Sequence, residues 1–175
     1  MAIKLDSHIA HLVDLVLAEK QVLFSMGDEA WNFAVYLYDP VEKLLKCSLC
    51  RRPLRQDELA PHRSWQPGDG HVGIAWQRDE ELVAADMRDP QIEPYFRAKR
   101  EYKSDDGERY RSIASIPIRI ANAQPLGVLV ATSDHIGRFK PNSSGNDSVE
   151  PLRLLASTLA MMLHATNVKG KESKS

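Results

Sequence analysis

Residues 110–134, YRSIASIPIRIANAQPLGVLVATSD, constrain the fold more than any other stretch of this 175-residue chain. The first half alternates: Ile113, Ser115, Pro117 and Arg119 fall on one parity, and Ser112, Ala114, Ile116, Ile118 and Ile120 on the other. Period-two alternation marks a strand, and the short polar connector at 121–125 marks a hairpin. The run Leu126-Gly127-Val128-Leu129-Val130-Ala131-Thr132 is apolar on both parities, which predicts a strand at the sheet's centre, covered on two sides. Small polar residues on the hairpin's inner face (Ser112, Ser115, Thr132, Ser133) suit the floor of a ligand pocket better than a plain core.

Other elements follow from local signals. Ile9, Leu12, Val13, Val16 and Leu17 recur at helical spacing, predicting a helix capped by Asp6 or Ser7, running to about Ser25 and ended by Gly27. Residues 31–39, WNFAVYLYD, are aromatic and β-branched, hence a strand, and Asp39-Pro40 starts the turn into a partner strand over 41–49. Residues 51–65 are expected to form a loop with a short helical piece. Pro67-Gly68-Asp69-Gly70 opens a short helix over 71–77, and 81–85 is a short strand. Asp89-Pro90 starts a helix to about Arg100 with Ile92, Tyr95 and Phe96 on one face, and the charged stretch 101–109 reads as a mobile loop. Asp147 and Glu150 resemble a capping box ahead of a last helix over 148–166, with Leu152, Leu155, Leu159, Met162 and Leu163 on one stripe. The elements make a meander of about five strands with helices, an α+β arrangement in one domain over 1–166, followed by a flexible polar tail over 167–175.

Charge narrows the partners. The formal net charge is -1, with 23 basic and 24 acidic side chains interspersed. No basic face is evident for nucleic acid or an anionic membrane. No 18-residue apolar run and no signal-peptide pattern is present, and two cysteines three apart make no disulfide framework, so a reduced, cytoplasmic setting is expected.

Taken in order, these pieces resemble a GAF domain over roughly residues 27–163. RSWQPGDGHVG (63–73) is similar to the segment that opens the family's pocket helix, and ELVAAD (81–86) to the next strand with its terminal Asp. YRSI through IPI (110–118) and LGVL with Thr132-Ser133 are similar to the two strands that follow, and Phe139 precedes the closing helix. The resemblance implies a GAF-like, PAS-related antiparallel sheet of five to six strands. Terminal helices would pack together on one face, with short helices and loops covering the other. Such domains include small-molecule sensors, gas or redox sensors, dimerisation modules and one enzyme class, so the fold does not fix the function.

The enzyme class is the free methionine sulfoxide reductases, which the chain resembles at Gly127-Val128-Leu129 and Gly137-Arg138-Phe139. Their chemistry needs pocket thiolates. One family cysteine would fall in PGDGHVG, where this chain has His71 and Val72, and another in 101–110, where there is none. No catalytic residue is therefore expected. A covalently held bilin would need a cysteine before His71, and the cyclic-nucleotide pattern is not visible from Asp134 and Phe139 alone, so no cofactor is expected. Cys47 and Cys50 form a CxxC whose structural, metal and redox readings stay open. Zinc would need two more ligands, with His62 and His71 nearest. Residues three apart on a strand point to opposite faces unless a bulge or turn intervenes.

The remaining pocket candidates are Trp65, His71, Trp76, Asp86, Tyr95, Tyr110, Arg111, Ser112 and Ser115. Four of them have plainer alternatives. Trp76 suits the core, His71 a helix start, and Asp86 a turn cap. Arg111 can clamp a ligand carboxylate or phosphate, or pair with Asp105 or Asp106. The expected function is a non-catalytic sensor. A small polar molecule would enter between the sheet and residues 65–76 and 89–100, with 101–109 closing over it. The signal would leave through terminal helices that form a homodimer and reach a downstream partner. Burial of the helix stripes inside the monomer is the alternative to dimerisation. A ligand-free interaction module, with Trp76, Tyr95 and Phe96 filling the cavity, is the rival.

Overall fold

The hairpin pattern sets the architecture. In the computed structural model, residues 2–53, 63–96, 110–140 and 148–172 are described, except for the side chains of 2–6, 95–96 and 167–172. Strands β1 (Trp31–Asp39), β2 (Leu44–Arg51), β3 (Leu82–Ala84), β4 (Ser112–Ile118) and β5 (Gly127–Ser133) form one open antiparallel sheet in the order β2-β1-β5-β4-β3. β5 is the middle strand and all seven of its residues are buried, as its doubly apolar pattern predicts. The order departs from a meander, because β5 returns to pair with β1 along its whole length.

Helices α1 (Ala2–Ala18), α2 (Lys20–Phe24) and α5 (Glu150–Glu172) belong to one side, and α3 (Gly70–Arg78) with the single turn α4 (Glu93–Phe96) to the other. The larger core joins Ile9, Val13 and Leu17 with Leu152, Leu155, Leu159 and Leu163, over the sheet residues Phe33, Val35, Ala114, Ile116, Ile118, Leu129 and Ala131. Leu12, Val16 and Met162 pack against it, so both helix stripes are covered within one molecule. The smaller core sets Val72, Ala75 and Trp76 of α3, with Trp65, on Ala84, Ile113, Val128 and Val130.

This two-sided burial corrects the reading of the hairpin's small polar residues. Ser115 shares its parity with Ile113 and faces α3, as does Thr132 with Val130. Ser112 and Ser133 face the terminal helices. All four are buried, on opposite faces. Ser112 Oγ donates to the carbonyl of Ala84 or Phe139 (3.1 Å each) and accepts from the Phe139 amide (2.8 Å), tying the chain after β5 to β3. Ser133 Oγ donates to Glu29 at 2.7 Å, and Glu29 takes Arg138 bidentately at 2.6 and 2.5 Å. Burial pushes the Glu29 carboxyl upward, and the bonds from Arg138 and Ser133 more than offset it, leaving its pKa lowered.

Boundaries moved where local hydrogen bonds override periodicity. The first helix breaks at Glu19 and ends at Ser25, which adopts the left-handed φ of 54° that a helix C-terminus favours. Asp39 Oδ1 accepts the amides of Val41 and Glu42, holding them in a turn, so β2 starts at Leu44 and runs on to Arg51. The last helix continues through Glu172, beyond the expected end near Thr166, on residues such as Lys169, Lys171 and Glu172 with good helix propensity. The charged stretch 101–109, most of 51–65 and Asp147 of the capping box lie outside the described residues.

Candidate functional site

The α3 face of the sheet carries the most unusual chemistry. Two glycines make it possible. Gly70 has φ of +58°, and a Cβ there would lie 2.2 Å from the Trp65 ring. A Cβ on Gly73 would lie 2.1 Å from the Gln66 carbonyl oxygen. The chain thus folds tightly from Trp65 into α3, held by bonds from the Gly68 amide to Gly73 O (2.9 Å) and from Gly73 to Asp69 O (3.1 Å). Trp65 itself bridges to Leu45 through both backbone groups, extending the sheet beside β2.

This turn sets His71 over β4. Its Nδ1 lies 2.7 Å from Ser115 Oγ, and its ring packs edge-on against Trp65 with centroids 5.2 Å apart. Burial, helped by the positive charge of Arg63, lowers the His71 pKa to about 3, so the imidazole is neutral at physiological pH. Arg63 sits 5.3 Å over the Trp65 ring in a cation–π contact. Tyr36 of β1 meets Trp65 edge-to-face at 6.5 Å, and burial pushes its phenol up to about 12. Trp65 Nε1 is buried and has no hydrogen-bond acceptor among the described residues. This N–H lies near enough to the Tyr36 hydroxyl to favour its ionised form against burial, but the pair falls short of a hydrogen bond. A buried donor left unsatisfied costs about 1–3 kcal/mol.

Three of the sequence candidates, Trp65, His71 and Ser115, therefore converge. Others are committed elsewhere. Trp76 donates to the Pro125 carbonyl at 2.8 Å and stacks on Tyr38 at 4.2 Å, which makes it a pin for the β4–β5 turn. Arg111 and Asp86 pair with each other through two bonds of 3.0 and 2.9 Å, and Asp86 also accepts the Arg88 amide, the turn-capping role among its alternatives. Ser112 lies on the opposite face, as described above. Tyr110 is half-buried just ahead of β4, and the Tyr95 side chain lies outside the described residues. Sequence reasoning missed Tyr36 and Arg63. The parity of WNFAVYLYD places Tyr36 on the same face as Ala34 and Tyr38, but only the sheet order shows that Trp65 and α3 cover that face.

A separate open groove of about 410 Å³ runs between α5 and the end of β4, lined in part by Glu81, Arg119, Arg153 and Ser157. Its cations are engaged, Arg153 by Glu81 and Glu150 and Arg119 by Asp79. Among the described residues, no group of three or more His, Cys, Asp or Glu side chains is placed to hold a metal ion. No described helix is long and apolar enough to cross a membrane.

No family model and no curated protein matches the sequence. Solved structures do match the fold. The GAF domain region of a protein from Geobacter sulfurreducens PCA superposes with a TM-score of 0.65 at 19% identity, covering 94% of this chain and 95% of that one. The GAF domain of a phosphoenolpyruvate-protein phosphotransferase from Coxiella burnetii gives 0.62 at 18%, covering 97% and 96%. The free methionine-R-sulfoxide reductase of Neisseria meningitidis, in complex with its substrate, gives 0.59 at 20%, covering 94% and 87%. At these identities the likeness shows the fold alone.

Proposed function

From the premise that this chain has a GAF fold, we propose that it is a non-catalytic module binding a small polar molecule on the α3 face of its sheet. The observation that carries this reading is the buried indole N–H of Trp65, without an acceptor among the described residues, beside the neutral His71–Ser115 pair. The indole N–H, with the Tyr36 ring edge-to-face against the same indole, favours a ligand presenting an acceptor such as a carboxylate. Binding would reach the terminal helices through β4 and β5, whose other face carries α5. With the helix stripes covered, a homodimer and any downstream partner would use the apolar side chains still exposed there, Leu15, Leu154 and Met161. A cytoplasmic setting fits this role.

Native mass spectrometry of the purified protein tests the binding reading. A co-purifying small molecule that is lost in Trp65→Phe supports it. Protein that carries nothing and gains no mass from a panel of metabolite carboxylates sinks it.

A reductase is the second reading, favoured by one observation: both thiols lie on the α3 face of the sheet. Against it, burial and the nearby Cys50 raise the Cys47 thiol to about 11, and burial raises Cys50, which leaves little thiolate for turnover at neutral pH. Turnover of free methionine sulfoxide by the reduced protein, abolished in Cys47→Ser, would establish it.

A further inference from the structure

The two thiols reach one face because β2 is bulged. Ala34 pairs with Cys50 and Val35 with Leu49, but Tyr36 pairs with Cys47, so Ser48 is an extra residue with no partner across the strand. One inserted residue turns the divergent i, i+3 relation into a same-side one. Side-chain contacts agree from both ends. Cys50 Sγ donates to Oδ1 of Asn32, which shares its parity with Ala34 and Tyr36, at 2.9 Å. Cys47 lies across from Tyr36, whose ring meets Trp65 on the α3 side. Leu49, between the thiols, packs into the terminal-helix core instead. Same-side neighbours on a strand have Cα atoms about 6.5 Å apart, at the upper end of the span a disulfide bridges. Both cysteines are half-buried and reduced.

We infer that Cys47 and Cys50 are a reversible oxidation site, which a hydroperoxide closes into an intramolecular disulfide on the α3 face beside Tyr36. Cys50 attacks first, because Arg52 and Arg51 both oppose the effect of its burial, whereas at Cys47 the neighbouring Cys50 adds to burial and exceeds the offsets from the Leu49 backbone and Arg52. Its thiolate takes the distal peroxide oxygen, the O–O bond breaks, and the remaining alkoxide or hydroxide leaves with a proton as alcohol or water. Cys50 is then a sulfenic acid. The Cys47 sulfur displaces that hydroxyl, which leaves as water with the Cys47 proton. Two thiol protons and two electrons have passed to the peroxide. A crosslink near the upper span limit is readily reduced, so a low-molecular-weight thiol reverses it. The site does not depend on the ligand reading, because it rests on the register of β1 and β2.

The test treats the reduced protein with hydrogen peroxide at pH 7 and pH 9, with intact-mass and peptide mapping. Wild type is expected to lose two hydrogens as a Cys47–Cys50 crosslink, to do so about tenfold faster per pH unit as the thiolate forms, and to revert with dithiothreitol. Cys47→Ser and Cys50→Ser, checked for native circular dichroism, are expected to gain oxygen or to form mixed disulfides. Wild type that only gains oxygen atoms, or that crosslinks between molecules as the single variants do, overturns the site.

Discussion

His71 ties stability to pH in a window that no other assigned group covers. Its folded pKa of about 3 lies below the ordinary 6.5, so between those values the unfolded chain binds a proton that the folded chain refuses. Stability is then expected to fall on acidification from pH 6.5, with a slope of up to about 1.4 kcal/mol per pH unit. The carboxyls with lowered pKa (Asp14, Glu29, Asp39, Asp86) contribute stability that is present above their ordinary values of 3.8 to 4.5 and lost as pH falls through their folded ones, below the window. Urea unfolding of His71→Gln from pH 6.5 to 4.5 should therefore show a flatter profile than wild type, and parallel profiles would contradict the buried neutral imidazole. The two tryptophans separate site from scaffold. Trp76→Phe strands the Pro125 carbonyl and is expected to cost about 1–3 kcal/mol. Trp65→Phe removes a donor that has no acceptor among the described residues, so a much smaller loss is expected, read in the same denaturant series. From sequence the two were indistinguishable, because each is an aromatic residue near a short helix. What differs is the carbonyl of Pro125, 49 residues away.

At the scale of elements, polar latches hold the connections that the cores do not. Glu29, Ser133 and Arg138 join the segment before β1 to the end of β5 and the loop beyond it, and the Glu29 side chain is 2% exposed. Arg138→Ala strands that carboxylate and is expected to cost about 3–5 kcal/mol in chemical denaturation, whereas Glu29→Gln with Arg138→Met should recover much of the loss. A loss under 1 kcal/mol for Arg138→Ala would remove the latch from the account. Gly127 shows why reasons need the structure even when an element is legible. A Cβ there would meet the Tyr36 carbonyl oxygen of β1 at 2.0 Å, a close approach between strands that only the sheet order reveals. β1 was legible residue for residue because its aromatic and β-branched run is bounded by turn formers, and β5 to within one residue at each end because both its faces are apolar. The bulge at Ser48 was not, since CSLC carries no local signal for an extra residue. It depends on how β2 registers against β1.

For the whole molecule, the α+β class and the two-sided sheet followed from periodicity, while strand order did not, because β1–β5 pairing spans almost 100 residues of chain. Dimerisation was argued from helix stripes that the monomer itself covers. If the molecule does pair, Leu154 and Met161 on one face of α5 are the exposed apolar groups, at 63% and 62%. Leu154→Glu with Met161→Glu should then yield monomer in sedimentation velocity with unchanged thermal stability, and an unaltered dimer would move the interface elsewhere. The candidate site was partly legible: Trp65, His71 and Ser115 come together, but their partners Tyr36 and Arg63 come from chain segments that only the fold unites. The central claim is that this face receives a small polar ligand, and a thermal-shift screen of metabolite carboxylates against wild type and Trp65→Phe tests it most directly. At a concentration of 100 Kd a true ligand adds about 2.7 kcal/mol, roughly 5–10 °C for a chain of this size. At least one compound is expected to produce such a shift in wild type and a much smaller one in Trp65→Phe. No shift from any compound, or equal shifts in both proteins, would contradict it.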